Sequence, residues 1–169
     1  MPKERTLILE SSRVNQKITR MAHEIYEHHH KSKDLILIGI SGRGFELAGR
    51  LAELLKEISP LKIQKLEISM NKENPLKGDI LLSGELSELK GKEVVLVDDV
   101  LNSGKTLMFA ARHILQVEIK KLSVATLVER SHRKFPLKSD FVGLTLSTNL
   151  KEHVSVDLTA KKESIHLEA

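Results

Sequence analysis

The amino-acid sequence predicts a single α/β domain in which a parallel sheet is covered by helices on both faces. Three short apolar runs, at 35–40, 93–98 and 122–128, are typical of strands buried on both faces. Stretches with the periodicity of amphipathic helices lie before and between these runs. This alternation of strands and helices along the chain favours a parallel sheet with helical crossovers.

The first helix is predicted between residue 11 and about residue 30. Its apolar residues Val14, Ile18, Met21 and Ile25 are separated by four, three and four positions, which places them on one helix face. The other predicted elements are, in chain order, a strand at 35–40, a helix at 45–58, a half-buried strand at 61–69, a strand at 93–98, a helix at 106–117, a strand at 122–128, and shorter strands at 141–146 and 153–158. The apolar patch at 7–9 and the tail at 161–166 receive no assignment.

Composition excludes several classes of protein. The chain has 169 residues, 27 Lys+Arg and 23 Asp+Glu, which gives a net charge of +4 and ordinary globular usage. Cysteine is absent, so disulfide scaffolds, thiol catalysis and cysteine-based zinc sites are excluded. No apolar run approaches the roughly 20 residues of a membrane span, so no membrane partner is expected. We therefore expect one cytoplasmic domain over 1–169. Aromatic residues make up only 3% of the chain, so a protein that stacks nucleic-acid bases on aromatic side chains is not expected.

A loop of small, hydrogen-bonding residues follows the strand at 93–98 and opens a helix. Backbone N–H groups at the start of a helix favour an anion. Gly104 permits close approach of the backbone, Ser103 and Thr106 add hydroxyl groups, and Lys105 adds positive charge. We interpret this loop as a phosphate site; the alternative is a solvated strand end with a helix cap.

Two adjacent carboxylates, Asp98 and Asp99, stand at the end of the same strand. Like charges side by side are unfavourable unless a cation or hydroxyl donors lie near them. A ribose diol, a magnesium ion or both would satisfy them. The end of this run imitates a Walker A loop, but that motif requires glycine where this chain has Asp99, so it does not apply.

A second small-residue loop follows the first apolar strand and includes Ser41, Gly42, Arg43 and Gly44. A dinucleotide-binding fingerprint would require a further glycine where Leu47 stands, so that motif is broken. Exposed N–H groups and an arginine suit another anion, although a simple tight turn would also explain the glycines. Two anion loops on neighbouring strands would suit a substrate with phosphates at both ends.

The run at 94–106 resembles the phosphoribosyl-diphosphate (PRPP) motif of type I phosphoribosyltransferases. The resemblance implies the fold of these enzymes, with a small hood. It also implies Mg²⁺ as a cofactor, which Asp98 and Asp99 would bind partly through PRPP. It implies catalytic roles for Asp98, Asp99 and Arg43, the paired acids holding the ribose hydroxyls. The residues implied for the 5′-phosphate are Val100, Leu101, Asn102, Ser103, Gly104, Lys105 and Thr106. Those implied for the diphosphate are Ser41, Gly42, Arg43 and Gly44.

Further runs, at 19–24, 37–44 and 127–136, are similar in sequence and order to the bifunctional pyrimidine-operon attenuator/uracil phosphoribosyltransferase family. The similarity covers about residues 6–158. It implies formation of UMP and diphosphate from uracil and PRPP. It also implies a homodimer or larger assembly, and for some members the binding of pyrimidine-operon RNA.

The resemblance also implies a mobile loop at about 69–82, including Lys72 and Glu73, and a hood at about 129–149. The family commonly has Tyr-Arg-Asp-Asp in the mobile loop, where this chain has Asn-Lys-Glu-Asn at 71–74. The hood residues implied for base recognition are Phe141, Val142 and Gly143.

A face for RNA is the last feature that the resemblance implies. Its residues are Thr19, Arg20, His23, Arg130, His132 and Arg133. The alternative is that these residues form a solvated surface or a subunit contact. A regulator that binds RNA in response to UMP or PRPP, with weak or no enzyme activity, is therefore the second hypothesis beside the uracil enzyme.

Overall fold

The computed structural model describes residues 4–159 and 162–169; residues 1–3 and 160–161, which fall within the predicted domain and tail, lie outside the described part. The described elements, in chain order, are β1 (Arg5–Leu9), α1 (Ser11–His29), β2 (Asp34–Ile40), α2 (Arg43–Ile58), β3 (Lys62–Ser69), β4 (Leu81–Leu82), a 3₁₀ turn (Leu86–Leu89), β5 (Glu93–Leu101), α3 (Lys105–Ile114), β6 (Lys121–Arg130), β7 (Phe141–Leu146), β8 (His153–Asp157) and β9 (Ser164–Glu168).

The central sheet has six strands in the order β4-β3-β2-β5-β6-β7. All neighbouring strands are parallel except the short β4, which pairs antiparallel with β3. From β2 the chain passes outward to β3, whereas from β5 it passes outward in the other direction to β6 and β7. The order therefore reverses between β2 and β5, and ligands of open parallel sheets bind at such a switch point, beyond the carboxyl ends of the strands.

Both faces of the sheet are covered, as the sequence predicts. In β2, Leu35 and Leu37 pack with α1 and α2 on one face, while Ile36 and Ile38 pack with α3 on the other. This alternation follows from the two-residue period of a strand, and both sets are apolar because both faces are buried. The predicted α/β fold with a parallel sheet is confirmed. In the described ranges, no helix combines the length and apolar character needed to cross a membrane.

A separate three-stranded antiparallel sheet, β1-β9-β8, joins segments near the two ends of the chain. We call this sheet the hood. Val154, Val156 and Ile165 attach it to the core beside α1 and α2. The sequence predicts neither β1 nor β9, because both are short and β1 gains its pairing partner, β9, only from the far end of the chain.

The predicted base-recognition residues of the hood lie elsewhere. Phe141, Val142 and Gly143 belong to β7 of the central sheet, and Phe141 is 1% exposed beneath α1, with its ring 5.0 Å from that of His28. A Cβ atom at Gly143 would lie 2.5 Å from the carbonyl oxygen of Leu127. The alternating pattern at 141–146 fits a strand beside β6, so Phe141 and Gly143 serve sheet packing. The sheet that we call the hood, β1-β9-β8, does not include the predicted range 129–149.

Candidate functional site

The two predicted anion loops meet at the switch point of the sheet. β2 and β5 are direct neighbours, with Gly39 beside Val97 in the parallel register. The loops that follow them border a cavity of ≈ 530 Å³. Its lining comprises Gly42, Arg43, Lys72, all residues in the range 98–107, His153 and Val154. All seven residues predicted for the 5′-phosphate therefore face one cavity with the paired acids.

The loop at 100–106, here called the phosphate loop, is held in place by its backbone. Gly104 has a φ of 87°, which is in the left-handed region that glycine adopts without strain. The carbonyl oxygen of Ser103 accepts hydrogen bonds from the backbone N–H groups of Lys134 and Phe135, at 2.9 and 3.0 Å. The Ser103 hydroxyl accepts from the N–H of Lys105 at 3.2 Å. Further N–H groups of the first turn of α3 can bind an anion because they have no partner within the helix.

The paired acids occupy unequal environments. Asp98 is 6% exposed, whereas Asp99 is half-buried. Burial, followed by the negative charge of Asp99, raises the pKa of the Asp98 carboxyl well above its usual range, and the charge of Lys72 opposes this shift. The raised pKa means that the site favours a ligand that brings positive charge or hydroxyl donors to these carboxylates.

A magnesium ion suits this donor set if the substrate supplies further oxygen ligands. Mg²⁺ is commonly bound through one or two carboxylates together with substrate phosphates and water. Among the described residues, no group of three or more His, Asp or Glu side chains could hold a metal by itself. Asp98 and Asp99 are therefore suited to an ion that arrives with its substrate.

The loop after β2 lies close to the paired acids because small residues permit it. A Cβ atom at Gly44 would lie 2.9 Å from the Oδ1 atom of Asp98 and from the carbonyl oxygen of Val97. Gly42 has a φ of 92°, and the N–H of Ser41 donates to the carbonyl oxygen of Ile68 at 2.8 Å. Gly42 and Arg43 line the cavity, whereas Ser41 and Gly44 lie behind them.

The segment 70–80 contributes one cation to the cavity. Lys72 lines it, whereas the predicted Glu73 does not. The N–H groups of Glu73 and Asn74 both donate to the Oδ1 atom of Asn71 at 3.1 Å, which makes a local turn. Arg43, Lys72 and Lys105 thus give this cavity three cations beside its two carboxylates, a balance suited to a substrate with several phosphates.

The hood also contributes to the lining of the cavity. His153 and Val154, at the start of β8, line the cavity. Sequence reading predicted a strand here but assigned these residues no role, because nothing local indicates which loop a terminal strand will face. The positive charge of Arg43 also reaches β8, since it adds to the hydrogen bonds from Thr159 that lower the pKa of Asp157.

Only four of the six residues of the predicted RNA face are exposed. Thr19, Arg20 and His23 are exposed on α1, and Arg20 donates to the carbonyl oxygens of Val142 and Gly143 at 3.0 and 2.8 Å. Arg133 is exposed and lies 3.9 Å from Glu129.

The other two predicted RNA residues have intramolecular partners. The expectation is wrong for Arg130, which is 7% exposed and bonded to Asn102 and the turn after β7. His132 is half-buried and bonded to the carbonyl oxygen of Thr148.

Comparison with known proteins identifies the class. Residues 5–161 match the family model of the phosphoribosyl transferase domain. Since this match spans most of the chain, the protein belongs to the phosphoribosyltransferase family and is a pentosyltransferase. Solved structures agree on the fold: hypoxanthine-guanine phosphoribosyltransferase from Bacillus anthracis has a TM-score of 0.74 at 23% identity, covering 96% of this chain and 99% of that one. The hypoxanthine phosphoribosyltransferase of Trypanosoma cruzi has a TM-score of 0.76 at 16% identity, covering 96% and 95%.

Curated relatives narrow the class. The bifunctional protein PyrR of Alkaliphilus metalliredigens is 36% identical, with 95% of this chain and 93% of that protein covered. The corresponding protein of Enterococcus faecalis is 32% identical, with coverage of 94% and 91%. Within the phosphoribosyltransferases, the chain therefore belongs to the group of bifunctional PyrR proteins, as the sequence resemblance implied.

Proposed function

We propose that this protein forms UMP and diphosphate from uracil and PRPP. The observation that carries the proposal is the meeting of the phosphate loop, the paired acids and the loop at 41–44 around one cavity. PRPP carries a phosphate at one end and a diphosphate at the other, with a ribose diol between them. The three features match these three parts of the substrate in kind and in order.

Each part of the cavity has a proposed role. The phosphate loop binds the 5′-phosphate, and Asp98 and Asp99 accept hydrogen bonds from the ribose hydroxyls. Residues 41–44, with the charge of Arg43, bind the diphosphate. Lys72 approaches from the segment 70–80, where Lys supplies charge but not the two-pronged geometry of Arg.

The reaction breaks the bond between the anomeric carbon and the diphosphate oxygen and forms a bond to a nitrogen of uracil. The departing diphosphate takes the electron pair of the broken bond, and the uracil proton passes to solvent. The residues of this chain hold the reacting groups in line and place positive charge beside the departing group. Asp98 and Asp99 would hold a magnesium ion together with oxygen atoms of the substrate, and that ion would supply further positive charge for the departing group.

We also propose that uracil contacts His153 and Val154, which line the cavity together with the phosphate loop. We further propose a homodimer or larger assembly, located in the cytoplasm. Both proposals follow the family resemblance.

The first test replaces both acids. Asp98→Asn/Asp99→Asn removes the carboxylates that orient the ribose and is expected to abolish UMP formation. Because the change also removes repulsion between two partly buried charges, the melting temperature should stay constant or rise. The matched control, Glu53→Gln/Glu57→Gln, changes two exposed carboxylates of α2 and should leave turnover unchanged. Full turnover by the Asp98/Asp99 variant would refute the site assignment.

A second function, as a regulator that binds pyrimidine-operon RNA, is supported by the word "bifunctional" in the names of the curated relatives. Thr19, His23 and Arg133 are exposed and available to RNA, whereas Arg130 is not. A UMP-dependent and salt-sensitive gel shift of a pyrimidine leader RNA is expected. Replacement of Arg133 by Ala should weaken that shift, and absence of any shift at low salt would refute the second function.

A further inference from the structure

Arg130 lies at the carboxyl end of β6, next to the phosphate loop, and is almost fully buried. Its side chain is in a part of the molecule where only a well-bonded guanidinium is tolerated, since burial of an unbonded charge costs several kcal/mol. All three nitrogen atoms of its guanidinium group, Nε, Nη1 and Nη2, donate hydrogen bonds. The partners lie on two different elements, the phosphate loop and the turn between β7 and β8.

In the first of these elements, Nη1 of Arg130 donates to the Oδ1 atom of Asn102 at 2.9 Å. Asn102 is a member of the phosphate loop and lines the cavity. Its backbone N–H and carbonyl are therefore placed by a side-chain contact that comes from the neighbouring strand. The sequence offered no signal for this contact, because 28 positions separate the two residues.

In the second element, Arg130 binds the turn between β7 and β8. Nε and Nη2 donate to the hydroxyl of Thr148 at 3.0 and 2.7 Å, and Nη2 donates to the carbonyl oxygen of Glu152 at 2.6 Å. His132 holds the same turn through the carbonyl oxygen of Thr148. Glu152 directly precedes His153, which lines the cavity. One guanidinium thus connects the phosphate loop to the base of the hood.

Among the residues that the structure describes, no carboxylate forms an ion pair with Arg130. Its hydrogen-bond acceptors there are an amide, a hydroxyl and backbone carbonyls. A buried cation bonded only to neutral groups makes the surrounding potential positive. Because Asn102 lies between this charge and the cavity, an anion in the phosphate loop is stabilised by it.

We propose that Arg130 is a positioning residue that sets the spacing between the phosphate loop and the hood, and that it strengthens anion binding in that loop. The proposal rests on the proposed function, since it assigns a phosphate of PRPP to this loop. Arg130 touches neither substrate nor reacting atoms; it acts through Asn102 and through the turn at 148–152.

The experiment measures the affinity for ribose 5-phosphate by calorimetry and the KM for PRPP in steady-state turnover. Arg130→Met removes the bridge and the charge, so the dissociation constant and the KM should rise about tenfold, or about 1.4 kcal/mol, with a smaller change in kcat. Arg130→Lys keeps the charge but loses the planar guanidinium group that donates several hydrogen bonds at once. It should therefore give an intermediate increase in the dissociation constant and the KM. Lys138→Met, which removes an exposed cation of the segment between β6 and β7, is the matched control and should bind ribose 5-phosphate normally.

Thr148 provides a milder variant that leaves the charge in place. Thr148→Val removes the hydroxyl that accepts from Nε and Nη2 of Arg130, so it should raise the KM for PRPP severalfold. Thr148→Ser keeps a hydroxyl, so its KM for PRPP should stay near that of the wild type. In an Asn102→Ala background, the further effect of Arg130→Met on the dissociation constant should largely disappear, because the contact between them is already lost.

The competing account is that Arg130 only stabilises the fold. A variant Arg130→Met with a lower melting temperature but an unchanged KM and dissociation constant would overturn the proposal. If that variant does not fold, an unchanged KM in Thr148→Val overturns it instead. Failure of the wild-type protein to bind ribose 5-phosphate would overturn the proposed function and this proposal with it, whereas normal wild-type binding with insensitive variants would overturn this proposal alone.

Discussion

The phosphate loop and the segment 70–80 border the same cavity but are held in different ways. Three backbone or hydroxyl contacts fix Ser103, and Asn102 is bonded to a buried arginine. The segment 70–80 is mostly exposed, and its turn is closed by Asn71 within the segment itself. The phosphate loop is therefore fixed by contacts from other elements, whereas the segment 70–80 is held largely by contacts of its own residues, and under the proposed function we expect this segment to adjust when PRPP binds. Such a division is useful to an enzyme that must exclude water from a reactive sugar after the substrate has entered.

The largest effect should come from disturbing the close contact between the loop at 41–44 and the paired acids, which directly precede the phosphate loop. Gly44→Ala places a Cβ atom 2.9 Å from the Asp98 carboxylate and the Val97 carbonyl, so α2 or the end of β5 must move. We expect kcat/KM to fall at least about 100-fold, since small misplacements have effects of that size, and stability to fall by about 1–3 kcal/mol.

The matched control for this variant lies in the same helix. At Gly49 a new Cβ atom would meet only the flexible end of Lys65, at 3.3 Å, so Gly49→Ala should leave both activity and stability nearly unchanged. Equal effects of the two alanine variants would show that the tight approach at Gly44 does not matter.

A smaller effect is expected on the adjustable side. Lys72→Ala removes a cation that lines the cavity and should raise the KM for PRPP about fivefold, because a partly exposed charge contributes on the order of 1 kcal/mol. The melting temperature should not change. Lys77→Ala, in the same exposed segment but away from the cavity, should have no effect on KM. A drop in stability in the Lys72 variant would contradict the description of this segment as only locally held.

A still smaller effect concerns stability at the opposite, amino end of the sheet. His29 is buried there, with Nδ1 2.7 Å from the Glu93 carboxylate. Burial lowers the pKa of His29 below 6.5, an effect that Glu93 only partly offsets. The unfolded chain therefore binds a proton more readily than the folded one, so stability should fall as pH drops through 6.5. The pKa of Glu93 is also lowered, so stability should fall further as the pH drops below the usual pKa of a glutamate.

Urea midpoints measured at about pH 7.5 and about pH 5.5 test this pH dependence. His29→Asn keeps a donor toward Glu93 but cannot titrate, so the difference between the two midpoints should shrink. The exposed His23→Asn should leave the difference as in the wild type. A wild-type midpoint that rises on acidification would show that the sign is wrong.

The features that the sequence predicts and the structure brings to one cavity are local in the chain. The phosphate loop, the paired acids and the loop at 41–44 are each encoded within a few residues, and the parallel order of the strands brings them together. A family pattern predicts Phe141 in the hood, whereas the structure places it in a strand of the central sheet. The pairing of β1 with β9 and the contact of Arg130 with Asn102 depend on residues far apart in the chain, and no local pattern reports such contacts.

Base specificity provides the most direct test of the account. The solved structures of similar fold are named for hypoxanthine and guanine, whereas the curated relatives are PyrR proteins. The protein should be incubated with PRPP and magnesium and a mixture of uracil, hypoxanthine, guanine, xanthine, adenine and orotate, and the nucleotides separated by chromatography. The account predicts UMP as the dominant product. A purine nucleotide or orotidylate as the main product would contradict the uracil assignment, and the absence of any nucleotide would contradict the enzyme itself.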